Sequence, residues 1–317
     1  MSTVLITGAA GFVGRHVVRE AAATGRALRV LAHRADPGEL PPGTEVVWGD
    51  LGDPTALRGL CDGVDTVVHC ASQIGGDAAT NERVNARGTA ALLEHAGRAG
   101  VRRLVYLGTA SVYGRGEYRA ARPEELTRRP GSETSRTRAL AEDLVTAAGG
   151  TVLRPHIVVG AGDRWVLPTL VRLLRTLPGA PTERSTLHSV ITASDLARAL
   201  VGVALAPPER LGARVYHAAH PIPVPVERLL RAAALWGGVP WPERVTGAAQ
   251  ARAVAAETGP WASGSLEMLL GDHWFDSSPL WSDLGVSPGP PLGVGGPEAL
   301  ARLVSSCGPR PQARTTV

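Results

Sequence analysis

The chemistry of this sequence begins at Thr7-Gly8-Ala9-Ala10-Gly11-Phe12-Val13-Gly14. An apolar run, Val4–Ile6, leads into these glycines, and a stretch with Val13, Val17 and Ala21 on one helical face follows them. Glycines let the backbone turn sharply and approach a pyrophosphate, whose charge then rests on the free N–H groups of the helix N-terminus. With a strand before it and a helix after it, the turn predicts dinucleotide binding through Gly8, Ala10, Gly11, Phe12, Val13 and Gly14. A second position sets which dinucleotide is bound. The end of the next strand should carry an acid for the adenosine ribose if the cofactor is NAD, but it carries His33-Arg34. A guanidinium there can grip a 2′-phosphate bidentately, so NADPH/NADP is expected ahead of NAD, with Asp36 as the residue that would still serve NAD.

The elements that position these residues follow from periodicity. Short β-branched runs alternate with amphipathic stretches, the pattern of βαβ units winding a parallel sheet. Strands are expected near Val4–Thr7, Leu28–Ala32, Glu45–Trp48, Thr66–Cys70, Leu104–Leu107 and Val152–Arg154. The first helix should run from about Phe12 and stop at Gly25. From about Pro178 proline and glycine increase and the repeat breaks down. A strand near Val215–Ala218, helices near Pro225–Leu235 and Pro297–Val304, and loops are expected there. The division is then a dinucleotide-binding domain at 1–177, a mainly substrate-binding subdomain at 178–307 with segments returning to the core, and a disordered tail at 308–317.

Composition narrows the function classes. All 33 basic residues are arginine, against 29 acidic ones, and they are spread along the chain with no basic block, which argues against nucleic acid. The three cysteines, Cys61, Cys70 and Cys307, have no paired spacing, as expected of a reducing cytoplasm. No apolar stretch approaches membrane-spanning length, and the apolar start is too short for a secretion signal. No His/Cys/Asp cluster has metal-ligand spacing.

In order along the chain, these motifs resemble the extended short-chain dehydrogenases/reductases over residues 1–305 or so. The Thr7–Gly14 turn is similar to that family's TGxxGxxG. Gly49-Asp50-Leu51 resembles its adenine-holding segment, Val68-His69-Cys70-Ala71-Ser72 the strand end along the cofactor, and Asn85-Ala86-Arg87-Gly88-Thr89 the asparagine helix start behind the active site. Leu153-Arg154-Pro155 with Val159-Gly160 resembles the segment near the nicotinamide, and Ser194-Asp195-Leu196-Ala197, Phe275-Asp276 and Leu284-Gly285 match C-terminal landmarks. The resemblance implies an α/β fold, a Rossmann-type doubly wound parallel sheet with a small C-terminal substrate subdomain. It adds His33, Arg34, Asp50, Leu51, Cys70, Ala71, Ser72, Thr109, Arg138 and Pro155 to the cofactor contacts, and a homodimer built on the helices flanking strands four and five.

The same resemblance locates the catalytic positions, a Ser or Thr, a Tyr, and a Lys four residues after the Tyr. Counting back four from Tyr113 in Leu107-Gly108-Thr109-Ala110-Ser111-Val112-Tyr113-Gly114 puts Thr109 at the first. Ala141-Glu142 fixes the next helix, so Thr134 stands at the tyrosine and Arg138 at the lysine. Because the chain has no lysine and its four tyrosines all lie outside residues 131–149, this departure holds in any register. Hydride transfer to a ketone makes an alkoxide that needs a proton, and the tyrosine, its pKa lowered by the lysine, is the usual acid. Threonine is too weak an acid for that, and an arginine with a pKa above ~12 cannot shuttle a proton at neutral pH. Arg138 can still hold the nicotinamide ribose and place positive charge one helical turn from Thr134.

Two function classes stay open. One is a non-catalytic protein that keeps NADP as a structural or sensing ligand. The other is a reductase whose proton comes from water or from the substrate, and a phenol beside the ketone suits, since its pKa is near ~10. Epimerases and dehydratases need the missing base and drop out. Over its whole length the chain is similar to ketoreductases that tailor angucyclinones, aromatic polyketides of antibiotic biosynthesis, whose tyrosine and lysine positions are also unconventional. That similarity implies reduction of a ring carbonyl by NADPH, with Thr109 on the developing oxyanion and Thr134 and Arg138 in positioning roles. Ser72, Tyr113, His156 and His188 are the expected substrate contacts, each with a structural role as its alternative; a histidine with a pKa near ~6.5 could also replace the missing acid. The seven tryptophans, Trp165, Trp236 and Trp274 among them, could line a flat aromatic pocket, but core packing is their ordinary use.

Overall fold

Val4, Leu5 and Ile6 are each 2% exposed or less, because helices cover both faces of their strand, the usual origin of an unbroken apolar run in a parallel sheet. The computed structural model describes residues 2–182, 185–292 and 297–308. The chain runs β1 (Thr3–Thr7), α1 (Gly14–Ala22), β2 (Ala27–Ala32), β3 (Glu45–Trp48), β4 (Thr66–His69), α2 (Ala78–Asn81), a π-helical turn at Glu82–Arg87, α3 (Gly88–Arg98) and β5 (Arg103–Leu107). It continues through β6 (Tyr118–Ala121), α4 (Glu133–Ala147), β7 (Thr151–Arg154), β8 (Ile157–Val159), α5 (Val166–Thr176), β9 (Leu187–His188), β10 (Val190–Thr192) and α6 (Ala193–Leu205). The last part is β11 (Val215–His217), β12 (Val224–Pro225), α7 (Val226–Gly237), α8 (Ala248–Thr258), α9 (Pro260–Leu270), β13 (His273–Phe275), α10 (Ser278–Leu284) and α11 (Pro297–Ser306).

Seven strands form one parallel sheet in the order β3-β2-β1-β4-β5-β7-β11. Strand order reverses between β1 and β4, and in open α/β sheets ligands bind beyond the carboxyl ends at such a switch point. The fold is the doubly wound Rossmann type. Every strand expected from the sequence is present with ends shifted by at most one residue, whereas α1 begins at Gly14 rather than Phe12. The loop is still closing there, with the Gly11 N–H on Gly8 O at 2.9 Å. Gly25 ends that helix's turn with φ +70.

The C-terminal third is more regular than its composition suggests. Beyond the expected elements it holds α6, α8, α9 and α10, and a small four-stranded sheet in the order β12-β9-β13-β6. Alanine at 248, 249, 251, 253, 255 and 256 favours helix, and Gly259 (φ +119) followed by Pro260 at the start of α9 makes the break between α8 and α9. Leu196 and Leu200 of α6 pack in the same core as Val17 and Val18 of α1, so this helix and β11 return to the main sheet. A second core joins Leu170, Leu173 and Leu174 of α5 to Leu229 and Leu230 of α7 and Leu266 and Leu269 of α9. Gly308 is held by the Trp236 indole, whose Nε1 donates to its carbonyl at 3.0 Å; the rest of the expected tail, 309–317, lies outside the described residues. Among the described residues no helix is long and apolar enough to cross a membrane.

Candidate active site

The turn that opens the site is shaped by what a side chain would strike. Gly8 has φ +73, and a Cβ there would sit 2.7 Å from the Ala71 nitrogen beyond β4. A Cβ on Gly14 would sit 1.9 Å from Gly8 O, so α1 packs on the loop only without one. No side chain caps α1, and the N–H groups of Phe12 and Val13 have no acceptor among the described residues. Ala10 is half-buried in the same loop. An uncapped helix N-terminus behind a glycine turn fits a pyrophosphate.

Beyond β2, His33 and Arg34 are exposed, and Arg34 forms no hydrogen bond or ion pair among the described residues. Asp36 is taken up by a local turn, its Oδ1 accepting from the Gly38 N–H at 2.9 Å. Asp50 accepts from the Gly52 N–H at 2.8 Å and from Arg83 at 3.0 Å, with His33 Nε2 3.6 Å away. Partial burial works against its charge, yet these donors hold the carboxyl below its usual range. Leu51 next to it is buried.

At the end of β4, His69 Nδ1 is 2.6 Å from Thr7 Oγ1 and Nε2 is 3.0 Å from Thr89 Oγ1. Thr89 donates its own proton to Asn85 O, so it accepts from His69 Nε2, and Thr7 donates to Nδ1. Burial, with Arg138 nearby, lowers this histidine to about 3, which makes it an uncharged strut behind the turn. Cys70, Ala71 and Ser72 follow it, each half-buried, and Ser72 Oγ donates to Asn85 Oδ1 at 3.2 Å.

Thr109 follows β5 and lines a cleft of about 860 Å³. Its N–H donates to Glu142 Oε1 at 3.3 Å, and Glu142 is paired with Arg154 at 2.6 Å, the two side chains 1% and 7% exposed. Gly108 completes this support, since a Cβ on it would sit 2.4 Å from Glu142 Oε1. Ser111 touches the Thr109 hydroxyl twice, through its N–H at 3.1 Å and its Oγ at 2.9 Å. Arg138 donates through Nη2 to Leu107 O at 2.6 Å and Gly108 O at 2.8 Å, while its Nε is enclosed without an acceptor. Its charge thus lies under the end of β5.

Ser72, expected as a substrate contact, does not line this cleft, and three more expected site residues are turned elsewhere. Thr134 Oγ1 donates to Asn81 Oδ1 at 3.0 Å and accepts from the Gly75 N–H at 3.1 Å, so it clips a loop to α4 and does not line the cleft. Tyr113 is 1% exposed; its hydroxyl accepts from Arg154 at 2.8 Å and donates to His217 Nε2 at 2.7 Å, leaving none of it for a substrate. Burial, against the pull of Arg154, raises its pKa. His188 is fully buried, its Nε2 3.3 Å from Thr186 Oγ1. His156 does line the cleft, following Pro155, whose carbonyl accepts from the Ala110 N–H at 2.8 Å.

Sequence reasoning missed Ser135 and His273 in the lining of the cleft, and Arg252, Leu266, Glu267 and Met268, which come from α8 and α9. Ser135 was within reach, one residue past the tyrosine position. No tryptophan lines this cleft; Trp281 is buried in the main core and Trp165 is exposed. Among the described residues no group of His, Cys, Asp and Glu is arranged to hold a metal ion.

With fold and site in view, comparison with known proteins places the chain. Residues 4–219 match the NAD dependent epimerase/dehydratase family, and the chain belongs to it: it is an extended short-chain dehydrogenase/reductase, of an oxidoreductase family that uses NAD(P). It is 34% identical over 226 residues to a 3 beta-hydroxysteroid dehydrogenase/Delta 5-->4-isomerase of Mycobacterium tuberculosis, a match covering 63% of this chain and 60% of that protein. The chain thus spans about 60% of that relative's length, less than two thirds. It is 28% identical over 241 residues, 71% of this chain and 70% of the relative, to a 4-hydroxy-2-methyl-3-oxo-4-farnesyl-3,4-dihydroquinoline-1-oxide ketoreductase of Stigmatella aurantiaca. Among solved structures, the Bordetella bronchiseptica enzyme WbmH in complex with NAD+ superposes with a TM-score of 0.74 over 96% of this chain and 97% of its own, at 22% identity. At that identity the likeness is one of fold.

Proposed function

We propose that the chain is an NADPH-dependent ketoreductase that reduces a ring carbonyl of an aromatic polyketide, of the angucyclinone type, in antibiotic biosynthesis. The observation that carries the reading is the cleft beside Thr109. Gly114, Gly116, Gly131, Gly264, Ser132 and Ser135 among its walls leave it wide, Leu266, Leu270, Met268 and Phe275 give it apolar surface, and neither tyrosine nor lysine enters it. Such a space suits a flat polycycle that brings its own phenol. Sequence resemblance to the ketoreductase of simocyclinone biosynthesis supports that substrate class, and similarity to a ketoreductase named for an oxo group on a dihydroquinoline ring supports reduction of a ring ketone.

Gly8, Gly11, Phe12, Val13 and Gly14 would hold the pyrophosphate, and Arg34, which has no partner among the described residues, the 2′-phosphate. Bound there, the reduced nicotinamide supplies hydride. Thr109 hydrogen-bonds the oxygen on which charge develops, its backbone fixed by Glu142. The proton comes from a substrate hydroxyl next to the ketone, a phenol whose pKa near ~10 matches that of the absent tyrosine. Arg138 places positive charge beneath the end of β5 without moving a proton. A homodimer through α3 and α4 accompanies this reading.

The test is incubation with NADPH and a panel of hydroxylated polycyclic ketones, following loss of reduced-nicotinamide absorbance. Ketone-dependent consumption is expected; tight NADPH binding with no consumption across the panel would favour a cofactor-sensing protein instead. In Arg34→Ala, NADPH should bind at least about tenfold more weakly while NADH is unaffected. Equal loss for both cofactors would remove the phosphate role.

A further inference from the structure

We propose that His156 is the second hydrogen-bond donor to the substrate's reacting oxygen, acting beside Thr109 from the carboxyl end of β7. The proposal rests on the ketoreductase reading and supplies a contact which that reading lacks, since Thr134 points away from the cleft.

Position comes first. The bond from the Ala110 N–H to Pro155 O, 2.8 Å, ties the segment after β5 to the segment after β7. Thr109 and His156 are the residues that flank it, and both line the cleft.

The ring is also locked in orientation. His156, His188 and His273 lie nearly parallel, with centroids 5.8 Å apart for His156–His188, 5.4 Å for His156–His273 and 5.9 Å for His188–His273, at interplanar angles of 17°, 14° and 8°. Phe275 closes on the His156 edge at 5.8 Å.

The two ring nitrogens differ. Nε2 is enclosed and has no partner, whereas Nδ1 is not enclosed and makes no hydrogen bond among the described residues. A proton on Nε2 would be an unmade donor in the interior; on Nδ1 it meets whatever occupies the cleft. The tautomer that wastes no donor therefore presents Nδ1–H to the substrate.

The neighbourhood keeps the ring uncharged. Burial first, then His188 from β9, His273 from β13 and His217 from β11, push His156 well below the ordinary histidine range. Behind these, Asp272 faces His188 and His273, and Glu117 faces His273. An uncharged imidazole gives a hydrogen bond without giving up its proton. As the carbonyl carbon gains hydride, the C=O pair moves to oxygen, and Thr109 O–H and His156 N–H bond that oxygen. The O–H bond that breaks is the substrate's neighbouring phenol.

The test uses 8-hydroxy-1-tetralone, a ketone with an adjacent phenol, and NADPH. His156→Phe should lower kcat/KM about 100-fold, mostly in kcat, the usual effect of deleting one oxyanion donor. His156→Gln, which keeps an N–H, should recover to within about tenfold of wild type, with NADPH affinity unchanged in both. A His156→Phe enzyme within about threefold of wild type would overturn the proposal. A second readout is independent of turnover: nitrogen NMR of labelled histidine, with the His156 signals identified by their loss in His156→Gln. From about pH 5.5 to 8.5 they should show an uncharged ring protonated at Nδ1, and Nδ1 should shift on adding the tetralone. An imidazolium at neutral pH, a proton on Nε2, or no shift on saturation with bound tetralone would each overturn it. If wild type reduces no ketone the reductase reading fails, and the NMR shift still decides whether His156 contacts the ligand.

Discussion

Phe275 separates two buried polar clusters that have opposite characters. On one side it packs against Tyr113 and His217, which with Glu142 and Arg154 form a bonded set; on the other it meets His156, stacked with His188 and His273. In the first cluster Glu142 Oε2 accepts from Arg154 Nε at 2.9 Å and Nη2 at 2.6 Å, and only His217 Nδ1 is left over. In the second, no ring nitrogen bonds another, and His156 Nε2 and His188 Nδ1 are both enclosed without partners. A buried charge must be answered by another, so the first cluster is committed to holding the frame around Thr109. What a ligand can add to is the second cluster's remaining ring nitrogen, His156 Nδ1, which is not enclosed and makes no hydrogen bond among the described residues. The bonded frame and the proposed ligand contact thus lie against the same aromatic ring.

Breaking the frame should have the largest effect. Glu142→Ala strands Arg154 in the interior and removes the acceptor of the Thr109 N–H. A loss of about 3–5 kcal/mol is expected by urea unfolding, because the remaining charge has no counter-charge. Glu142→Leu combined with Arg154→Met should recover most of that stability. A single variant costing under about 1 kcal/mol would show that the pair is hydrated and the division between the clusters is wrong.

The sequence makes the two clusters unequally legible, for physical reasons. The glycine turn is read from spacing and Thr109 from the family resemblance of its motif, and both are legible because φ at Gly8 and the step from β5 into the loop are local properties. Thr134 and Arg138 are assigned correctly to α4 by counting, but where their side chains go depends on Gly75 and Asn81 and on the Leu107 carbonyl, partners that counting along one helix does not supply. Tyr113 reads as a cleft residue from its place in the motif, and Arg154 and His217, from β7 and β11, take its hydroxyl away. The histidine stack is the least legible part. It exists because β13 pairs with β6 and β9, a parallel and non-local arrangement that no periodicity announces.

Tyr113→Phe discriminates between the two clusters at intermediate cost. It leaves Arg154 Nη1 and His217 Nε2 without the shared hydroxyl, and hydrogen bonds to charged groups put the loss at about 2 kcal/mol. Activity per folded molecule should stay within about twofold of wild type, in contrast to His156→Phe. A large fall in kcat/KM with unchanged stability would return Tyr113 to the substrate's surroundings.

The smallest effect at neutral pH is expected inside the histidine stack itself. His188→Leu removes an imidazole whose one bond, to Thr186, is long, and Thr186 keeps its donation to Leu269 O at 2.6 Å. Nothing is stranded, so stability at pH 7.5 should change by less than about 1 kcal/mol. Acid sharpens the difference. Burial, with His273 beside it, lowers His188 from 6.5 to about 4 in the fold. Between those values the unfolded chain binds a proton that the native protein does not, so this contribution to stability is whole above pH 6.5 and is lost as pH falls through the folded value. Each such histidine steepens the acid limb by up to about 1.4 kcal/mol per pH unit. Urea unfolding at several pH values from 7.5 to 4.5 should therefore give His188→Leu a shallower decline than wild type. Parallel declines would mean that the ring takes up its proton at the same pH in the folded and the unfolded chain, and the uncharged character of the stack under mild acid would have to be abandoned.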